Sequence, residues 1–132
     1  MARITHIAVK VDDLDKIADF YDKVFGLEQV GTSRGPDRSR VAFSDGDLNL
    51  TFLKYDNEEV EMAKEVGEGP AIHHFGIEVD DVAKYVPLLV ANGAKILSKP
   101  GEIPVKFRMP GGPLAELVPD GSFKGGRQRG RG

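Results

Sequence analysis

Apolar residues alternate with others from Ile4 to Val11, and most of the apolar ones are β-branched, so this stretch is predicted to form a strand. After Asp12 and Asp13, either of which suits a helix N-cap, apolar residues recur at helical spacing from Leu14 to Phe25. Gly26 is the expected end of this helix. Three more strands are predicted near residues 27–32, 39–44 and 48–55. The predicted order of elements is βαβββ.

The same pattern occurs a second time. Residues 4–14 match residues 72–82 at an offset of 68 positions, so that His6 aligns with His74. The second copy predicts a strand at 72–79, a helix at 81–91, and strands near 94–98, 104–109 and 113–118. The chain is therefore predicted to contain two βαβββ modules.

The repeat predicts an α+β fold in which the two modules form one cupped, mixed sheet. Residues 1–119 are expected to form a single domain, with module one at 1–56, a polar linker at 57–70 and module two at 71–119. A length of 132 residues suits one domain that buries its own core.

Composition excludes several classes of chemistry. The chain has no Cys, which rules out a disulfide framework, a thiolate metal site and a Cys nucleophile. Its apolar runs are far shorter than the ~20 residues that span a bilayer, and residues 1–11 are too short and polar for a signal peptide. We therefore expect a cytoplasmic protein without a membrane partner.

Charge is distributed unevenly along the chain. The net charge is −3, yet the last nine residues hold four basic side chains and no acid. Without those four, 14 basic residues stand against 21 acidic ones, so the body of the protein is acidic, which argues against a nucleic-acid surface. Residues 120–132 are Gly/Arg-rich and are predicted to form a disordered tail.

Strand parity places two histidines on one face of the predicted sheet. His6 and Ala8 share a face opposite the helix side of their strand, and His74 and Gly76 do the same in the second module. The small neighbours are expected to leave room for a ligand beside each imidazole. Glu116 lies within an apolar strand, where a carboxylate is costly unless it is paired, protonated or bound to a cation.

Two His and one carboxylate from three strands form a common set of ligands for a divalent metal. His6, His74 and Glu116 are therefore candidate ligands for Fe, Mn, Co, Ni or Zn. The repeat aligns Glu116 with Thr51, which is a weak candidate for a fourth ligand, and Asn49 on the same face is its substitute. His73 has the opposite parity, which indicates a structural role or a role behind the ligands.

The sequence also resembles a known superfamily. The motifs that carry the resemblance cover roughly residues 3–119 and are Ile4-Thr-His6-Ile-Ala-Val, Asp12-Asp13-Leu14, Phe20-Tyr21, Phe25-Gly-Leu27, Arg40-Val-Ala-Phe43, Gly67-Glu-Gly69, His73-His74-Phe-Gly-Ile-Glu-Val-Asp-Asp81, Asn92-Gly-Ala94 and Ala115-Glu-Leu-Val118. They resemble the vicinal oxygen chelate superfamily, which includes glyoxalase I, methylmalonyl-CoA epimerase, extradiol dioxygenases and bleomycin-resistance proteins. The local similarity is greatest to methylmalonyl-CoA epimerase.

The resemblance implies paired modules around a divalent metal that chelates two oxygens of a small-molecule substrate. It places His6, His74 and Glu116 at ligand positions and Thr51 where glyoxalase I has Glu and the epimerase has Gln. It also implies a homodimer. The epimerase carries an acidic base before its third strand, whereas the segment here, residues 35–40, has Asp37 as its only acid.

The leading hypothesis is a metal-dependent lyase or isomerase of glyoxalase I or methylmalonyl-CoA epimerase type, which stabilises an enolate or enediolate of a small carbonyl substrate. Glu116 would be both ligand and catalytic base. One alternative is an Fe(II) extradiol-type dioxygenase, since three ligands leave positions open for substrate and O₂. Another is a metal-free binding protein of the drug-resistance kind, which the weak ligand Thr51 would permit.

Overall fold

A computed structural model of the chain describes residues 2–123 and has the predicted order of elements in both modules. Module one contains β1 (Arg3–Lys10), α1 (Leu14–Phe25), β2 (Glu28–Arg34), β3 (Arg38–Ser44) and β4 (Asn49–Tyr55). The linker contains the short helix α2 (Glu61–Lys64), and module two contains β5 (Ala71–Val79), α3 (Val82–Ala91), β6 (Lys95–Ile96), β7 (Val105–Arg108) and β8 (Leu114–Pro119). Residues 124–132 of the predicted tail lie outside the described residues. The predicted α+β fold is confirmed.

All eight strands form one mixed sheet in the order β2-β3-β4-β1-β5-β8-β7-β6. The antiparallel pair β1–β5 joins the modules, while β1–β4 and β5–β8 are parallel. The register also repeats, because Ala8 lies opposite Thr51 and its counterpart Gly76 lies opposite Glu116. The predicted correspondence between Thr51 and Glu116 is therefore confirmed.

Each helix packs on the face of the sheet that parity predicted. Helix α1 begins at Asp13, whose side chain accepts a hydrogen bond from the backbone N–H of Lys16, and ends at Gly26 in the left-handed conformation at φ 61°. Its apolar side covers a core that contains Val41 and Phe43, and α3 covers a core that contains their counterparts Val105 and Phe107. The helices thus cover one face of the sheet and leave the other for a site.

The linker is attached to the uncovered face by a buried lysine. Lys10 is 3% exposed, and its Nζ donates to Glu58 Oε2 at 2.7 Å and to the carbonyl oxygens of Gly67 at 2.8 Å and Ala63 at 3.3 Å. Ala63 in α2 packs on Ala8. These contacts hold α2 over one end of the face that carries His6. Within residues 2–123, no helix has both the length and the apolar character that a membrane span requires.

Candidate metal centre

His6, His74 and Glu116 come together in the structure. Glu116 Oε1 lies 3.7 Å from His6 Nε2 and 3.3 Å from His74 Nε2, and the three candidate ligand atoms are all within 4.8 Å of one another. His6 and Glu116 are each 5% exposed, and the His74 side chain is 9% exposed. The neighbouring strands β1, β5 and β8 each supply one of the three side chains. They form a buried group that could hold a metal.

Asn49 fixes the proton on His6. His6 Nδ1 lies 2.6 Å from Asn49 Oδ1 in a buried contact, and Thr51 Oγ1 donates to the same oxygen at 2.7 Å. Because an amide oxygen only accepts hydrogen bonds, Nδ1 of His6 carries the proton. The lone pair of the neutral ring is then on Nε2, which faces Glu116. In this arrangement Asn49 and Thr51 orient His6 from behind.

A β-bulge places His73 beside His74. Ala8 pairs with His74 while Val9 pairs with Ile72, so His73 is an extra residue in β5 without a partner in β1. The bulge interrupts the alternation of side chains, and the parity predicted for His73 is therefore wrong. The two imidazole rings are 4.9 Å apart between centroids, and their Nδ1 atoms are 2.7 Å apart.

The linker fixes the proton on His74 through His73. His73 Nε2 lies 2.7 Å from the carbonyl oxygen of Met62. Since a carbonyl only accepts, Nε2 of His73 carries the proton, and the neutral ring accepts at Nδ1 from Nδ1–H of His74. The lone pair of His74 is then on Nε2, which again faces Glu116. Each imidazole presents its unprotonated nitrogen to the carboxylate.

Three lone-pair donors therefore converge on one point. Nε2 of His74 is buried and has no hydrogen-bond partner among the described residues. Acceptors at this spacing repel one another unless a cation lies between them. A proton on one imidazole bridges only two of the three acceptor atoms, whereas a divalent ion can bind all three. Ligand atoms held about 2.1 Å from a metal are about 3 Å apart, close to the shorter spacing found here. The donor set suits Fe, Mn, Co, Ni or Zn.

The surroundings favour the protonation states that a metal needs. Burial lowers the pKa of His6 to about 4 and that of His73 to about 4, so both rings are neutral at pH 7. Burial disfavours the charged form of Glu116, but a hydrogen bond from His74 and positive charge at His74, His6 and Lys106 outweigh it and hold the pKa of this carboxyl below its ordinary value. A metal ion between the three residues would supply this positive charge while the imidazoles stay neutral. Neutral imidazoles and an ionised carboxylate are the states that coordinate a metal.

A cavity of about 380 Å³ opens beside the three residues. Strands from both modules line it, including β3 and β7, which are second and seventh in the order of the sheet. The sheet must curve for these strands to reach one cavity, so the predicted cup is present. Asp37, the acid noted before the third strand, pairs with Arg38 at 3.2 Å and is not among the lining residues.

The space expected beside the imidazoles is filled by protein. Ala8 is fully buried under Ala63, and the ring of Phe123 stacks on His6 with 4.1 Å between centroids and 9° between planes. A Cβ built on Gly76 would lie 2.7 Å from the Phe123 ring. The small residues therefore admit covering side chains, and the cavity lies next to them, with Ala8 in its lining.

Phe123 is a site residue that the sequence analysis missed. Its position in a Gly/Arg-rich stretch assigned it to the tail, but its backbone N–H donates to the buried carboxylate of Glu78 at 3.2 Å and its ring lines the cavity. A single aromatic residue in an otherwise polar, Gly-rich segment was the available signal. The stacking of Phe123 on His6 joins residues more than a hundred positions apart, which no local pattern encodes.

The lowered histidine pKa values predict a dependence of stability on pH. Between about pH 6.5 and 4 the unfolded chain binds protons that the folded His6 and His73 exclude, so the metal-free protein should lose stability as the pH falls through this range. Each group contributes up to about 1.4 kcal/mol per pH unit. Urea unfolding in the presence of a chelator measures this slope. His73→Gln should reduce it by about half, and equal stability at pH 7 and 4.5 would contradict the assignment.

Comparison with known proteins identifies the family. The model of the Glyoxalase/Bleomycin resistance protein/Dioxygenase superfamily matches residues 3–110, and the chain therefore belongs to this superfamily. The resemblance seen in the sequence is confirmed.

Individual relatives are lyases and epimerases. The chain is 32% identical over 123 residues to lactoylglutathione lyase GLX1 of Arabidopsis thaliana, covering 89% of this chain but 40% of that protein. It is 31% identical over 137 residues to mitochondrial methylmalonyl-CoA epimerase of Bos taurus, covering 89% of this chain and 74% of the epimerase. A solved methylmalonyl-CoA epimerase in complex with methylmalonyl-CoA and NH₄⁺ superimposes with a TM-score of 0.76 at 21% identity, over 93% of this chain and 97% of that one, which shows a shared fold.

Proposed function

We propose that this protein is a metal-dependent lyase or isomerase of glyoxalase I or methylmalonyl-CoA epimerase type that acts on a small carbonyl substrate. The observation that carries the proposal is the convergence of three lone-pair donors in a buried group at one end of a cavity. The relatedness to lactoylglutathione lyases and methylmalonyl-CoA epimerases supports the class of reaction.

His6, His74 and Glu116 would hold the metal. When bound, a divalent cation supplies positive charge next to the substrate carbonyl and so makes the adjacent C–H bond more acidic. Asn49 and His73 hold the two imidazole rings in the required orientation. This division of roles extends the metal prediction from three ligands to the residues behind them, with Thr51 acting through Asn49.

Glu116 would be the proton acceptor. It is ionised at neutral pH because the neighbouring histidines and Lys106 keep its pKa low, and it is the one carboxylate among the described residues that line the cavity. Phe123 and the linker exclude water from the opposite side of the imidazoles. The Tyr55 hydroxyl, whose pKa burial raises to about 12, remains a hydrogen-bond donor at the cavity wall.

Metal removal tests the proposal. Protein purified without a His-tag and incubated in D₂O should exchange the α-hydrogen of methylmalonyl-CoA or of lactoylglutathione for deuterium. Treatment with a chelator should reduce the exchange at least ~100-fold, and added Mn, Co, Ni or Zn should restore it. Exchange that is unaffected by the chelator would refute a metal-dependent reaction.

Two other outcomes distinguish the alternatives. Oxygen uptake with a catechol in the presence of Fe(II), without deuterium exchange, would indicate the extradiol-type dioxygenase, for which the three-residue ligand set is also suited. Native protein that holds no metal and binds none on titration would indicate the metal-free binding protein.

A further inference from the structure

The wall of the cavity that faces the candidate metal centre is cationic. Arg38 and Arg40 from β3 and Lys106 from β7 all line it, whereas Glu116 is the only acidic residue of that lining within residues 2–123. One carboxylate among the described lining residues therefore stands against three positive groups. A cavity of this charge favours a negatively charged occupant.

The two arginines have protein partners that leave their guanidinium groups partly free. Arg38 Nη1 contacts Asp37 Oδ1 at 3.2 Å, and Arg40 Nε donates to Ser33 Oγ at 2.7 Å. The Arg38 side chain is 29% exposed, so its remaining donors are accessible from the cavity.

Lys106 differs from the two arginines in the contacts of its charged group. Its backbone N–H donates to Ser98 Oγ at 2.7 Å, which fixes its place in β7, but its Nζ forms no hydrogen bond or ion pair with the described part of the chain. The side chain is half-buried, and burial is the main cause that lowers the pKa of Lys106, with Glu116 opposing and Arg38 adding to the shift. Glu116 is the anion opposite it, but a partly dehydrated ammonium group that no described carboxylate contacts directly still has donors for an anionic occupant.

Comparison of the two modules shows that the lysine is present in module two only. Its counterpart in module one is Ala42, which also lines the cavity. Ala42 lies opposite Thr51 in the β3–β4 pair, and Lys106 lies opposite Glu116 in the β7–β8 pair. Directly opposite residues have Cβ atoms about 5 Å apart, so the cation stands next to the candidate base and ligand.

We infer that Lys106, together with Arg38, forms an anion subsite that binds a carboxylate of the substrate next to the reacting carbonyl. The inference rests on the proposed function and narrows its substrate class to acidic carbonyl compounds. A carboxylate fits better than a phosphate, because the cavity presents an Arg fork and a single ammonium from strands whose backbone N–H groups are used in the sheet. The carboxylate would accept hydrogen bonds from the Nζ of Lys106, which makes none within residues 2–123.

Binding of malonate to the metal-free protein tests the subsite apart from catalysis. Isothermal titration with malonate, malonamide and inorganic phosphate should show saturable binding of malonate, at least tenfold weaker binding of phosphate and none of malonamide. Lys106→Met, which removes the charge and keeps a chain of similar length, should weaken malonate binding at least tenfold. Lys54→Met, at an exposed position on β4 outside the cavity lining, is the matched control and should bind malonate like the wild type.

Several results would overturn the inference. They are equal binding of malonate by the wild type and Lys106→Met, equal binding of malonate and malonamide, tighter binding of phosphate, and no saturable binding with or without added metal. Thermal unfolding verifies that Lys106→Met is folded. Since the titration needs no turnover, a protein that binds malonate through Lys106 but shows no metal-dependent exchange would refute the proposed function and leave the subsite standing.

Discussion

Replacing Glu116 with Gln should weaken binding of a divalent ion by at least ~100-fold and remove metal-dependent activity. Loss of a residue behind a metal ligand already costs 10- to 100-fold, so loss of a ligand's charge costs at least the upper end of that range. The variant should also lack the rise in melting temperature that metal binding gives the wild type. Competition with a chromophoric chelator measures the affinity, and thermal unfolding with and without metal measures the shift.

The stability of the metal-free variant provides a second readout. In the wild type, Glu116 Oε1 faces two imidazole nitrogens at 3.3 and 3.7 Å. The amide of Gln can donate a hydrogen bond to one of them, but the variant loses the negative charge opposite Lys106 that the low pKa of Glu116 shows to be favourable. The metal-free Glu116→Gln protein should therefore be less stable than the metal-free wild type at pH 7, and the difference should shrink as the pH falls and Glu116 is protonated. Glu28→Gln, an exposed change on β2, is the control. Unchanged metal affinity in Glu116→Gln would remove Glu116 from the ligand set.

Gly76→Ala should destabilise the protein by about 1–3 kcal/mol, the usual cost of overpacking a filled site. The added Cβ would lie 2.7 and 2.8 Å from two atoms of the Phe123 ring and 3.0 Å from His6 Cβ. The ring that stacks on His6 must therefore move, and the orientation of His6 should suffer, which weakens metal binding. Urea unfolding and chelator competition measure the two effects.

A double-mutant cycle separates the Phe123 contact from a general intolerance of Ala at position 76. Removing the ring relieves the clash with the Cβ of Ala at position 76. Phe123→Ala should therefore cost less stability in the Gly76→Ala background than in the wild type, with a coupling free energy of at least ~0.5 kcal/mol. Gly35→Ala is the matched glycine control, since its Cβ would meet the nearest atom at 3.6 Å. Strict additivity in the cycle would show that Phe123 does not occupy the position over Gly76.

Much of the site follows from local patterns in the chain. Strand alternation is sufficient to place His6 and His74 on the face away from the helices, and the repeat is sufficient to align Thr51 with Glu116. The parallel pairing of β1 with β4 and of β5 with β8 follows the same repeated plan. These features depend on near neighbours and on a duplication that the sequence displays directly.

Other features depend on contacts that have no local signature. The bulge at His73 results from a shift of register between β1 and β5, and it turns a residue of unfavourable parity into the link between Met62 and His74. Thr51 and Asn49, predicted as possible fourth ligands, are found in hydrogen bonds that orient His6. A hydrogen-bond network of this kind depends on which buried donors and acceptors the tertiary packing brings within hydrogen-bond distance.

By itself, the sequence determined the two modules, the faces of their strands and the three candidate metal ligands, because strand period and internal repetition are properties of the chain. Only the tertiary structure decided which nitrogen of each imidazole faces Glu116, that Phe123 covers His6, and that Lys106 lines the cavity opposite Glu116. Those outcomes required the sheet to curve and distant segments to pack against it. Proton positions and ring contacts depend on distances between residues far apart in the chain, which no spacing along it records.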